Sequence, residues 1–191
     1  MKKGLLIVLS GPSGVGKGTV LKRVMTNPDL MLTYSISMTT REKRTGEEEG
    51  INYFFVDKKK FEEAIHNEEL LEYAEFVGNY YGTPLDSVNK LRNTGKNVLL
   101  EIEVKGCEQV QEKCPDAITI FLTPPSLEEL ENRIRGRQTE PEEILQQRLE
   151  KAKKELELIG KYKYVVCNED PQLAADIIST IILQNMKKAE L

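Results

Sequence analysis

The sequence predicts an α/β fold with a three-layer core, a parallel sheet carrying helices on its faces, interrupted by a small mixed or antiparallel insertion and by a helical lid. Three observations predict it. Short apolar runs at 5–9, 97–104, 117–122 and 164–167 read as strands buried on both faces. The stretches between them carry apolar residues at helical spacing, and that alternation favours a parallel sheet. Between 32 and 83 the texture changes to short alternating or aromatic segments, 34–37, 53–56 and 71–76, which suit an antiparallel lobe.

Taken in order, the first strand stops at Ser10-Gly11 and a helix follows from Lys17, with Val20, Leu21, Val24 and Met25 on one side and Asn27-Pro28 closing it. Near the middle of the second half, Ser126-Leu127-Glu128-Glu129 satisfies a capping box and starts a helix that runs to about Arg137. Gln138 to Pro141 interrupts it, and Pro141 opens a second helix reaching about Ile159. The last helix, about 171–187, places Ile177, Ile178, Ile181 and Ile182 toward the core. One domain is expected over 1–191, with a core at about 1–32, 84–125 and 160–191, a lobe at about 33–83 and a lid at about 126–159.

The 191 residues are 39% apolar and 30% charged, enough to bury a core. A net charge of −4 arises from 31 acidic and 27 basic residues that are interleaved, which excludes broad binding to nucleic acid or to an anionic membrane. Any anion site must be a local concentration of positive charge. Cys107, Cys114 and Cys167 are odd in number and lack metal-ligand spacing, so a reducing, cytoplasmic setting is expected. No run is long enough to span a membrane, and the apolar run at 5–9 is too short for a signal peptide. His66, the single histidine, sits in a polar helical stretch and reads as a surface residue.

The strongest chemical signal is the run Gly11, Pro12, Ser13, Gly14, Val15, Gly16, Lys17, Gly18 and Thr19 between the first strand and helix. A polyphosphate needs many closely spaced donors. The glycines allow turns that aim successive N–H groups inward, and Lys17 adds a full charge at a helix N-terminus. The usual pattern places Ser or Thr directly after the lysine to ligate Mg²⁺. Here that position is Gly18 and the hydroxyl follows at Thr19, so magnesium is expected to be held mainly through nucleotide oxygens and water.

A second concentration of charge is Arg41 with Arg44, three apart after a strand rich in hydroxyls. Arginine's planar fork suits phosphate oxygens, although a solvated charged loop gives the same pattern. Glu101 and Glu103, two apart on an expected strand, share a face near its carboxyl end, where parallel sheets place ligands. Arg133 and Arg137, four apart, share a helix face, and Arg148 lies on the next helix.

In this order and spacing, GPSGVGKGT, SISMTTREKRTGE, EYAEFVGNYYGTP and LLEIEVKG resemble the guanylate kinase family across essentially the whole chain. The resemblance implies that Ser37, Glu72 and Thr83 surround a guanine, with Glu101 closing the pocket. It implies that Arg41, Arg44, Tyr53 and Tyr81 hold the GMP phosphate, and it adds Glu47 and Glu103 to the GMP-binding set. Arg133, Arg137 and Arg148 would reach the transferring phosphate when the lid closes, joining Lys17 and Arg41 as the catalytic set. Asn168 would lie near the adenine of ATP. The implied reaction takes ATP, Mg²⁺ and GMP or dGMP to ADP and GDP or dGDP, with no nucleic acid or membrane partner; the oligomeric state stays open.

Guanine chemistry fits the first group: N1–H and N2–H₂ are donors and O6 an acceptor, which suits a carboxylate beside a hydroxyl. The family more often has Asp at one or both of positions 101 and 103, and Gly where Gln138 stands. Two rival readings remain at this point, a kinase of another nucleoside monophosphate and a non-catalytic module that keeps the fold without turnover.

Overall fold

A computed structural model describes residues 2–76, 78–136 and 141–190. The strands are β1 (Leu6–Ser10), β2 (Leu32–Tyr34), β3 (Met38–Thr39), β4 (Phe54–Phe55), β5 (Leu70–Phe76), β6 (Asn79–Pro84), β7 (Asn97–Glu101), β8 (Ile118–Thr123) and β9 (Tyr164–Cys167). The helices are α1 (Lys17–Val24), α2 (Lys58–His66), α3 (Leu85–Asn93), α4 (Val104–Lys113), α5 (Leu127–Arg135), α6 (Glu142–Leu156) and α7 (Pro171–Glu190). They form a five-stranded sheet in the order β2-β7-β1-β8-β9 and a four-stranded sheet in the order β4-β3-β6-β5. The chain divides into two compact units, one of 1–6, 33–100 and 105–117, the other of 7–32, 101–104 and 118–191.

In the second of these units β1 runs parallel to β8, and β8 parallel to β9. Leu6, Ile7, Val8 and Leu9 have no exposed surface, as expected of a strand covered on both faces. Each such side chain contributes about 1.5–3 kcal/mol on burial. Helix α1 buries Val20, Leu21 and Val24 and packs against α7. In α7 the buried stripe is Ala174, Ala175, Ile178, Ile181 and Ile182, whereas Ile177, expected in the core, is 40% exposed because it falls outside that stripe. Strand β9 is also less buried than its apolar run suggested. It lies at the sheet edge, and only Val166 of its four residues is buried.

Ser126 caps α5 through its Oγ, which accepts from the Glu129 N–H at 3.0 Å. Helix α6 begins at Glu142, one residue later than expected, with Pro141 at the cap position. The expected end of the first lid helix at Arg137, together with Gln138, lies outside the described residues. Two guanidinium nitrogens of Arg135 donate to Glu142 at 2.6 and 2.9 Å and tie α5 to α6.

The other unit holds the four-stranded sheet, with β3 parallel to β4 and antiparallel to β6, and β5 antiparallel to β6. The sheet is therefore mixed. The hydroxyl-rich segment 35–39 is not one strand, since β2 ends at Tyr34 and β3 begins at Met38. Strand β2 joins the five-stranded sheet and not the insertion. The run 97–104 is likewise divided: β7 ends at Glu101 and α4 starts at Val104, leaving Glu103 between them. Glu101 and Glu103 are thus not neighbours on one strand face.

Candidate active site

The loop between β1 and α1 turns with positive φ at Gly14 and Gly16, +84° and +96°, where a side chain would be strained. Lys17 opens α1 and folds back over the loop. Its Nζ donates to the carbonyls of Gly11 at 2.6 Å and Pro12 at 3.3 Å. Burial pushes the Lys17 ammonium below its ordinary pKa, and the nearby carboxylates of Glu101, Glu155 and Glu103 oppose that shift. Burial raises the Glu101 carboxyl, with Lys17 pulling the other way, and burial raises Glu155 as well. A poorly solvated ammonium gains more from a phosphate partner than a hydrated one.

Glu155 was not legible as a site residue, yet a signal existed. Arg148, Lys151 and Glu155 recur at helical spacing on one face of α6. Lys151 bonds both oxygens of Glu103 at 3.0 Å and lies 3.8 Å from Glu155. Arg148 donates to the Ser13 hydroxyl at 2.7 Å. Arg133 donates through Nη1 to the carbonyls of Asn168 and Val15, at 3.1 and 3.4 Å, and through Nε to Glu129 at 2.9 Å. Two of the three expected lid arginines thus meet the glycine loop, and Arg137 lies outside the described residues. Pro12 is buried, and Gly18 and Thr19 are exposed on the first turn of α1.

In the other unit, β6 is the organising strand. Thr83 lies opposite Glu72 in the register with β5, and Tyr81 opposite Thr39 in the register with β3. Tyr81 and Thr83, two apart, share a sheet face. Ser37 immediately precedes β3, and its carbonyl accepts from the Phe54 N–H at 2.8 Å. Thr83 Oγ1 donates to Glu72 Oε1 at 2.6 Å, and both residues are buried. A carboxylate is rarely buried unless it is bonded, so the hydroxyl fixes its orientation as well as lowering its cost.

Arg41 Nη2 bonds Glu47 at 2.7 Å, and its guanidinium lies 5.4 Å from the centre of the Tyr53 ring. Tyr53 in turn meets Tyr81 edge to face with 6.0 Å between centroids. The Arg41 hydrogen bond, together with the Arg44 backbone N–H, holds the Glu47 carboxyl below its ordinary range. Glu47 thus accepts from the Arg41 guanidinium and from the Arg44 backbone N–H, at 2.7 and 2.9 Å. The Arg44 side chain is exposed.

A glycine loop between a buried strand and a helix, with Lys17 folded back over it, is the arrangement that defines the class of P-loop proteins. The family model described as guanylate kinase matches residues 3–185. A guanylate kinase of Bacillus anthracis is 54% identical over 182 residues, 95% of this chain and 89% of the relative. One of Streptococcus pyogenes serotype M3 is 52% identical over 181 residues, 95% of this chain and 86% of the relative. The crystal structure of guanylate kinase from Anaplasma phagocytophilum superposes with a TM-score of 0.73 at 34% identity, covering 98% of this chain and 89% of that one. The chain belongs to the guanylate kinase family.

Proposed function

We propose that this chain transfers the terminal phosphoryl group of ATP to GMP and to dGMP, in the purine nucleotide metabolism of the cytoplasm. An oxygen of the acceptor phosphate attacks the γ-phosphorus in line, the bond to the β,γ-bridging oxygen breaks, and ADP leaves with that electron pair. The reaction asks little covalent chemistry of the protein, so positioning and charge stabilisation carry it. The loop amides of 11–19 and Lys17 would hold the donor phosphates. Arg41, set by Glu47 and Tyr53, would hold the acceptor phosphate with Arg44, Tyr53 and Tyr81. Arg133, Arg137 and Arg148 would meet the charge spreading over the transferring group. On this reading 33–83 is the acceptor lobe, 126–159 the lid and the remainder the core.

Mg²⁺, which such a reaction uses to neutralise phosphate charge, fits this donor set as a nucleotide-borne ion. Gly18 offers no side-chain oxygen, and Thr19 with Glu101 and Glu103 would supply oxygens suited to the ion's waters.

The observation that carries the acceptor assignment is the buried Glu72–Thr83 pair. A fixed carboxylate accepts from N1–H and N2–H₂ of guanine, whereas adenine presents an acceptor at N1 and leaves the carboxylate unpaired. Lys17 and the lid arginines would have no task in a non-catalytic module. A coupled assay offering ATP with GMP, dGMP, AMP, CMP, UMP or dTMP tests the reading. Turnover confined to the guanine nucleotides is expected; preference for AMP overturns the acceptor assignment, and no turnover with any acceptor favours the module.

A further inference from the structure

Asn168 follows β9 and is 2% exposed. Its Nδ2 donates to the Val15 carbonyl at 2.7 Å, a bond that spans 153 residues and reaches the centre of the glycine loop. The partner is a carbonyl, which only accepts, so the amide orientation follows from chemistry. The backbone of Asn168 is held from two sides: its N–H donates to Thr123 at 2.8 Å, and its carbonyl accepts from Arg133 at 3.1 Å. The Oδ1 atom is buried without a hydrogen-bond partner among the described residues. Burying that oxygen is costly, so the side chain stays in place for what Nδ2 does or for what Oδ1 receives.

The Val15–Gly16 peptide is trans, as are all the described peptide bonds. In a trans peptide the C=O and N–H point in opposite directions. Fixing the Val15 carbonyl toward Asn168 therefore fixes the Gly16 N–H toward the opposite side of the loop. Gly16 adds a second constraint. A Cβ there would stand 2.7 Å from Asn168 Nδ2, so the amide occupies the space that any larger residue would need.

We infer that Asn168 is a positioning residue for the donor site: by holding the Val15 carbonyl it aims the Gly16 N–H at the phosphate chain, and it acts on the phosphates and not on the base. This differs from a contact to adenine through Oδ1, and it rests on the reading of the glycine loop as the ATP site. The benefit is preorganisation, since an amide already aimed does not have to be ordered when phosphate binds.

The test is calorimetric binding of tripolyphosphate and ATP to the whole chain, unaltered and with Asn168→Ala, joined to steady-state kinetics with ATP and GTP as donors. The unaltered protein must bind both ligands; failure there sinks the ATP-site reading and not this inference alone. For Asn168→Ala the expectation is a loss of about tenfold, the order of one hydrogen bond, for tripolyphosphate and ATP alike. KM for ATP should rise in step while KM for GMP and the ranking of ATP over GTP stay as they were, which a general loosening of structure would not produce. Should Asn168→Ala not fold, Asn168→Ser, whose shorter side chain cannot span to Val15, gives the same comparison. Loss for ATP with tripolyphosphate unaffected, or a collapse of the ATP over GTP ranking, would overturn the inference in favour of a base contact. Unchanged affinity for both ligands overturns it outright.

Discussion

On the proposed reading, the donor loop and the acceptor strands solve the same problem, holding a charged ligand, with opposite means. The loop 11–19 is one continuous segment that relies on backbone amides, glycine conformations and a single lysine. The proposed acceptor set is drawn largely from β5, β6 and the segments flanking β3, and it relies on side chains that orient one another: Thr83 on Glu72, Glu47 on Arg41, Tyr81 on Tyr53. Backbone amides suit any phosphate chain. Reading a particular base needs side-chain groups at set positions, and those come from strands brought together by pairing.

The largest effect is expected where the loop depends on one charge. Lys17→Ala should lower kcat by about a thousandfold, the scale of losing a preorganised donor to developing charge. A loss under tenfold would mean that the amides alone carry the donor phosphates. Glu72→Gln keeps the shape and removes the charge, and should lower kcat/KM for GMP by roughly a hundredfold while KM for ATP stays within about twofold. Equal loss for both substrates would erase the division of labour between the two regions. Arg41→Lys keeps the charge but gives up the planar group that bonds Glu47 and the Glu42 carbonyl together and the approach to Tyr53, so KM for GMP should rise by about tenfold. A lysine that restores full affinity would show that charge alone suffices there.

The smallest effect concerns the tie between α5 and α6. The Arg135 hydrogen bonds, then that of Gln146, hold the Glu142 carboxyl at about 2 against an ordinary 4.5. A depressed carboxyl stabilises the folded form above its unfolded pKa, and that contribution is lost as pH falls from about 4.5 through about 2. Hydrogen exchange of the α5 and α6 amides should therefore gain protection from pH 2 to pH 5 by a modest amount, because Glu142 is largely exposed. Glu142→Gln should flatten that dependence.

Much of the α/β alternation was legible because apolar runs and helical spacing are local signals, and the α5 cap at Ser126 followed from four consecutive residues. The misplaced features all depended on neighbours. Strand β2 reads like part of the insertion until its partner is known to be β7. Strand β9 reads as buried until its place at the sheet edge is known. Ile177 reads as core until the face of α7 that meets α1 is set. Glu103 reads as a strand residue, yet it lies beyond β7 and pairs with Lys151 of α6.

By itself the sequence determined the α/β class, the glycine loop with its lysine, and, through four motifs in register, the family. A continuous loop carries its chemistry in its own residues, so no partner segment is needed to recognise it. Only the tertiary structure decided that Thr83 orients Glu72, that Glu47 aims Arg41, that Glu155 stands in the field of Lys17, and that Asn168 reaches the Val15 carbonyl. All but the Glu47–Arg41 pair join residues on different elements, and a hydrogen bond or charge pair of that kind exists only once folding has brought its two ends within a few ångströms.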